Sequence, residues 1–330
     1  MPPWLLGLIL LVAKLLVVLV GLLLLAAYLV YGERKLLGRL QVRLGPNRCG
    51  PGGILQPLAD AVKLLTKEDT VPGGADRWIF LLAPTVVAGT ALLIFAVVPF
   101  GRSLTFQGRP VPLVISDLNV GLLYVVALSS IGVYGVALGG WASNSKYSLL
   151  GGIRGAAQMI SYEVALALSL APVVMLAKSF SLVEIVEAQA GCPFILIQPL
   201  AFLTFFISAV GEIKRIPFDL PEAENELVAG YHTEYSGMRF GLYFLGEYVT
   251  MVVLGSLVAV FFLGGWRGPW LPPLVWFSLK VAAVVFFMIW LRAAYPRLRY
   301  DQLMHLGWKL LIPVALLNIM VTGGVMLALG

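Results

Sequence analysis

The chain has 330 residues, 60% of them hydrophobic and 12% charged, with a mean hydropathy of +0.93. That composition belongs to an integral membrane protein and excludes a soluble globular domain. Two cysteines, Cys49 and Cys192, and two histidines, His232 and His305, are too few for a cysteine-ligated iron–sulfur cluster, a four-cysteine zinc site or a haem held by facing histidines.

Hydropathy predicts eight membrane-crossing helices, near 4–31, 78–99, 117–139, 157–177, 194–212, 239–263, 272–291 and 309–329. Each approaches the roughly 20 residues that a bilayer core requires. The first run lacks a charged leader and a small-residue cleavage site, so it is expected to be a retained span. The connection 33–77 follows, with eight Lys and Arg residues. Within it, 52–69 places apolar residues at 54, 55, 58, 62 and 65, a helical stripe too short to cross. It is expected to lie in the interface plane, either as a generic anchor with Asp60 and Lys63 paired along the helix or as part of a site.

Further along, Glu163 falls inside the fourth predicted span, Glu212 closes the fifth and Glu247 lies inside the sixth. An ionisable group within a span costs about 2.5–3.5 kcal/mol on insertion scales, which marks a functional candidate facing a cavity or a partner. The alternative is an internal ion pair with Lys14 or Lys280, the two cations inside spans. Between Glu212 and Glu247 runs "FDLPEAENELVAGYHTEYSG", Phe218–Gly237, with five acids. Asp219 and Glu222 match a capping box, with Pro221 in the first turn and Gly230 suited to the helix end. Glu224, Glu226 and Glu234 lie outside that explanation, and Glu226 would share a helix face with Glu222.

The basic residues set the sidedness. Seventeen of the 23 Lys and Arg residues fall in the connections 33–77, 141–157, 212–239 and 292–309, and four on the opposite side. Those four connections are therefore expected on the inner side, with both termini outside. The formal charge of +6 thus carries topology and no nucleic-acid signal.

The stretches "GERKLLGRLQVRLGPNRCGPGGILQPLADAVKLLTKED", "NSKYSLLGGIRGAAQMISYE", "PFDLPEAENELVAGYHTEYSGM" and "RAAYPRLRYDQLMHLGWK" together resemble the subunit 1 (H-type) family of respiratory complex I, the proton-pumping NADH:quinone oxidoreductase, over essentially the whole chain. The resemblance implies an all-α integral membrane protein, a single membrane domain over 1–330, with eight transmembrane helices and an interfacial helix. It further implies no haem, flavin, metal or iron–sulfur cluster in this chain, with NAD, FMN and the clusters in partner subunits and quinone as substrate. Two peripheral-arm subunits would complete a quinone chamber, with small membrane subunits and antiporter-like subunits beside it in a bacterial plasma (inner) membrane, or an organelle inner membrane. Carried over residue by residue, the resemblance gives Glu33, Arg34, Asp60, Lys63, Tyr162, Arg292, Arg297 and Arg299 to the quinone chamber. It gives Glu163, Glu212, Glu222, Glu224, Glu226, Glu234 and Glu247 to proton coupling, with 212–238 as the acidic inner connection and 292–308 as the basic one. One departure is visible: the family pattern reads Glu-x-Asn-Arg where this chain has "EIKR", so Lys214 stands in place of Asn.

Two other classes remain at this point. One is the equivalent anchor of a membrane-bound hydrogenase or of a ferredoxin- or F420-dependent relative. The other is a stand-alone proton-coupled transporter, against which the one-sided acids and the absence of an inverted repeat both argue.

Overall fold

The computed structural model describes residues 3–106, 109–222 and 224–329. Helix α1 (Pro3–Leu40) is rich in leucine and runs past its expected end at Tyr31, so Glu33 and Arg34 ride on a helix. Helix α2 (Gln56–Thr66) is the expected amphipathic element. It starts later than expected because Pro51–Gly53 forms a separate tight turn, with Gly52 and Gly53 at positive φ. Pro57 sits in its first turn, where a missing N–H costs nothing. Helix α3 (Arg77–Ile94) is capped by Asp76, whose carboxylate accepts from the Ile79 N–H at 3.4 Å.

A small antiparallel hairpin follows, β1 (Ser103–Phe106) against β2 (Arg109–Pro112). It is an addition to the expected helical architecture. Four-residue strands leave no mark in a hydropathy window long enough to find spans.

Helix α4 (Gly121–Ala142) leads into α5 (Lys146–Ala177), which begins well before the expected 157. The glycines that suggest a connection there are packing residues. A Cβ on Gly140 of α4 would lie 2.4 Å from the Ser148 carbonyl oxygen, so the two helices can approach this closely only with glycine. Short α6 (Leu182–Ala188) and α7 (Phe194–Ile197) precede α8 (Pro199–Ile213). The expected fifth span is thus broken at Gln198, where Pro199 removes a donor. The Gln198 amide is satisfied across the bundle: its Nε2 donates to Thr322 Oγ1 at 2.9 Å and its Oε1 accepts from Asn318 Nδ2 at 3.0 Å.

Helix α9 is a single turn, Glu224–Leu227. The helix start expected at Asp219 is displaced: the chain turns over 220–222, and the helix starts at Glu224. Glu222 therefore does not share a helix face with Glu226. Then come α10 (Gly237–Phe262), α11 (Pro273–Ala294), α12 (Tyr300–His305), a π-helical turn Leu306–Leu311 and α13 (Ile312–Leu329).

Among the described residues, seven helices are long and apolar enough to cross a membrane, and Pro199–Ile213 is a shorter apolar one. Helix α10 is the centre of the bundle: α1, α2, α3, α8 and α11 all pack on it, and Val258–Phe262 are fully buried. The outer faces of α1 and α13 are apolar and exposed, as at Val17 and Met320. Those faces suit lipid or a neighbouring protein.

The connection after α8 folds back on itself through a close backbone contact. Gly230 has φ +62, and a Cβ there would lie 1.7 Å from the Pro221 carbonyl oxygen. Gly230→Ala is expected to cost more than the about 1–2 kcal/mol of a left-handed non-glycine residue, because the Pro221 peptide must also move. The check is a lower thermal midpoint and yield of the assembled complex.

Candidate functional site

Charged side chains from four parts of the fold meet behind α10. Arg215 follows Lys214, the residue that ends α8. Its Nε donates to Glu247 of α10 and its Nη1 to Glu33 of α1. The other Glu33 oxygen accepts from Arg292 Nη1 of α11. The guanidinium carbon of Arg215 stands 4.1 Å from the centroid of the Tyr248 ring, on the next residue of α10 after Glu247. Glu33, Arg215 and Glu247 are all buried. Burial opposes the charge on Arg215, but Glu247 and Glu33 outweigh it and hold the guanidinium well above its ordinary pKa. Two carboxylates and two guanidiniums form a neutral chain across α1, the end of α8, α10 and α11.

Two more carboxylates each accept from a hydroxyl. Ser129 and Ser130, adjacent on α4, donate to Glu212 of α8 and Glu163 of α5 respectively. A second oxygen of Glu212, Oε2, is buried with no hydrogen-bond partner among the described residues. Gln158 of α5 holds the end of α8 in place by donating to the Gly211 and Phe218 carbonyls at 2.6 and 2.7 Å.

The acidic connection divides. Glu222 faces inward, 3.9 Å from His232 Nδ1. Burial, then the charges of Glu247 and Asp219, push its pKa up to about 8 against Lys214 and Arg215. Burial and then Lys214 push His232 down to about 4. Glu226 faces outward and pairs with Arg154 at 2.6 Å, a hydrogen bond that holds its carboxyl below the usual range. Glu234 is half-buried and forms no ion pair or hydrogen bond among the described residues. The side chain of Glu224 lies outside the described residues.

On the other side of Tyr248 is an apolar groove of about 330 Å³ between α1, α2 and α10. Leu23, Ala27, Tyr31, Leu64, Phe244 and Tyr248 line it, with Arg34, Asp60 and Lys63 also on its wall. Arg34 pairs with Asp60 at 2.9 Å, and Gln56 Nε2 donates to the other Asp60 oxygen at 3.0 Å. Asp60 therefore binds across to α1, in place of the Lys63 pairing within its own helix.

Of the chamber residues expected from the sequence, Arg34, Asp60 and Lys63 stand on the groove, while Glu33 and Arg292 stand behind it in the ion-pair chain. Tyr162 does not reach it. It is fully buried, with its hydroxyl donating to the Leu303 carbonyl at 3.0 Å and its ring against Phe218. Arg299 is exposed and pairs with Asp301, and Arg297 Nη2 has no hydrogen-bond partner among the described residues. Among the described residues neither intramembrane lysine pairs with a glutamate: Lys14 donates to the Val114 carbonyl, and Lys280 to the carbonyls of Leu263, Gly265 and Arg267. Arg215, Tyr248, Ser129 and Ser130 were not expected from the sequence. Arg215 was visible as a cation flanked by two intramembrane acids; the serines and Tyr248 carried no signal. Among the described residues, no three His, Cys, Asp or Glu side chains come together as a metal site.

Groove and charge chain together define a polytopic helical membrane protein that sets an apolar ligand groove beside a buried row of ionisable groups. The chain matches the NADH dehydrogenase family over residues 13–323. It is 70% identical to the second H-type subunit of the NADH-quinone oxidoreductase of Syntrophobacter fumaroxidans, with 99% of each chain covered. It is 65% identical to the first H-type subunit of the Geobacter metallireducens enzyme and 63% identical to the H-type subunit of the Syntrophotalea carbinolica enzyme, with 96% of each chain covered in both cases. The chain belongs to this family, the H-type membrane subunits of NADH-quinone oxidoreductase, which are subunit 1 of complex I. The hydrogenase-anchor and lone-transporter readings find no support among these relatives.

Arg215 is the structural keystone of the row. Arg215→Gln leaves Glu33 and Glu247 buried with reduced compensation, and removing one partner of a buried pair costs about 3–5 kcal/mol. Expected is a marked drop in the complex's thermal midpoint, larger than for Arg154→Gln, whose partner Glu226 is exposed. Glu222 makes a pH-dependent prediction. Its folded pKa lies above the ordinary carboxylate value, so the fold holds a proton that the unfolded chain releases, and stability falls as pH rises toward about 8. His232 works the other way, losing stability as pH falls toward about 4. The thermal midpoint of Glu222→Gln, relative to the unchanged protein, is expected to rise between about pH 6.5 and about pH 8, where His232 no longer titrates.

Proposed function

We propose that this chain is the quinone-facing membrane subunit of an NADH-quinone oxidoreductase. It holds the quinone tail in the α1–α2–α10 groove and passes the charge of quinone reduction into the membrane through its buried row. The observation that carries this reading is Tyr248: its ring both lines the groove and covers the Arg215 guanidinium. A change of charge in the head-group region is thereby one side chain away from Glu33 and Glu247.

The groove is lined mainly by aliphatic and aromatic side chains, which suits an isoprenoid tail, and Arg34 with Asp60 supplies a polar end. Electrons would come from an iron–sulfur cluster in a peripheral-arm subunit, itself fed through FMN from NADH. This chain's residues would do the remaining work. Reducing a quinone takes up two protons and creates transient negative charge in a low-dielectric space. Such charge raises the proton affinity of nearby carboxylates, and linked carboxylates titrate together. Glu222, Glu247 and Glu212 would respond first, and Glu163, reached from Glu212 through the adjacent Ser129 and Ser130, would follow. Glu224, Glu226 and Glu234 would act at the surface, where the acidic connection meets partner subunits. Arg292 would anchor Glu33, with Arg297 and Arg299 offering a basic surface to the peripheral arm. Tyr162 would support the row by fixing α5 to α12.

The seven long helices with Pro199–Ile213 as an eighth crossing support an even count, which puts both termini on one side. With the basic connections inside, both termini face the periplasm of a bacterial inner membrane. Small membrane subunits and antiporter-like subunits would cover the apolar outer faces.

Glu163→Gln keeps the shape and the Ser130 contact and removes the titration. Coupled NADH:quinone activity is expected to drop about tenfold, or about 1.4 kcal/mol in barrier height, while the amount of assembled complex stays constant. Full coupled activity in the assembled variant excludes Glu163 from the row.

A further inference from the structure

Lys214 remains unexplained by that reading. It ends α8 in the left-handed conformation, with φ 62, and only 7% of it is exposed. Its ammonium lies 5.0 Å from the centroid of the Tyr231 ring and forms no ion pair or hydrogen bond with the described residues. It lines a cavity of about 40 Å³ between α3, α4, α8 and α10, together with Glu212, Glu247 and Ser129. That volume exceeds the roughly 10–15 Å³ that a water molecule needs. The unpartnered Glu212 Oε2 belongs to the same wall.

Its neighbour Arg215 is the contrasting case. That guanidinium is locked between two carboxylates and stays charged. An amine on a flexible stem, held over an aromatic face and aimed at a pocket roomy enough for water between two carboxylates, is arranged to exchange a proton.

We propose that Lys214 is a proton-exchanging member of the row, giving up and recovering a proton in step with Glu212, Glu222 and Glu247. The proposal rests on the carboxylate row described above and adds a cationic member to it. In the transfer, an N–H bond of the ammonium breaks and an O–H bond forms on Glu212 or Glu247, directly or through one water. Ammonium and carboxylate become amine and acid, so no net charge is created in the cavity. Facing Lys214 are Glu212 from its own helix, Glu222 from the connection, Tyr231 and His232 from the turn before α10, Glu247 from α10 and the adjacent Arg215; α3 and α4 offer only the hydroxyls of Thr90 and Ser129. Burial lowers the lysine's proton affinity and the three glutamates push it back, so its protonation follows theirs.

The test uses the intact complex in proteoliposomes, with Lys214→Arg, Lys214→Asn and Glu163→Gln compared for coupled NADH:quinone rate across pH. Arginine keeps the charge and cannot release the proton, so Lys214→Arg is expected to lose about tenfold or more at full assembly. Asparagine removes the charge and leaves room for water, so Lys214→Asn is expected to lose less than Lys214→Arg and to shift the alkaline limb of the profile. A lysine serving only as a fixed charge gives the reverse order, and wild-type behaviour of Lys214→Arg overturns the proposal. Loss in Glu163→Gln alone then leaves the carboxylate row standing, whereas normal coupling in Glu163→Gln as well removes both.

Discussion

One guanidinium holds the functional half of this bundle together. Arg215 sits where the apolar helices α1, α10 and α11 converge, a place where a lone charge would cost several kcal/mol. It is tolerated because Glu33 and Glu247 accept from it and Arg292 closes the chain on Glu33. The same requirement acts in reverse on the glutamates. Neither Glu33 nor Glu247 can be moved without leaving an uncompensated partner, so the relative positions of α1, α8, α10 and α11 are fixed by charge as well as by packing.

From that constraint follows the separation of roles among the acids. Glu33 and Glu247 are bound to cations, Glu33 to Arg215 and Arg292 and Glu247 to Arg215. Glu212 and Glu163 are bound to serine hydroxyls, which can accept as well as donate and therefore tolerate either protonation state. Among the described residues Glu222 is bound to neither an arginine nor a serine, and burial pushes its pKa up to about 8. In the proposed function, the guanidiniums of Arg215 and Arg292 would keep the helices in place as an ionic frame while a disturbance at the groove moves protons among the carboxylates. Tyr248 supplies the contact between the two, as a wall of the groove and a cover on the frame.

Much of the architecture was legible in the residues because the bilayer simplifies the code. Long apolar runs report helices, and charges between them report connections, as with the amphipathic stretch that became α2. The failures share a cause. Helix α5 starts early because glycines in a close helix crossing look the same as glycines in a loop. The fifth apolar run is two helices because the Gln198 side chain, satisfied from α13, permits a break that its hydropathy does not record. The helix expected from Asp219 starts only at Glu224, after a turn over 220–222 that the local capping pattern does not record.

Residue types along the chain were enough to establish a helical membrane protein of the complex I subunit 1 family, with its acids gathered near one side. Composition and motif are properties of the linear chain, and both survive without coordinates. Which acids meet which cations was settled in three dimensions. Asp60 takes Arg34 instead of Lys63, Glu247 takes Arg215 instead of a lysine within a span, and Tyr162 turns away from the groove. These choices depend on which faces of distant helices are brought within hydrogen-bond reach. That is set by close packing at small residues and by the cost of an unpaired buried charge, and neither is written in the spacing of any one segment.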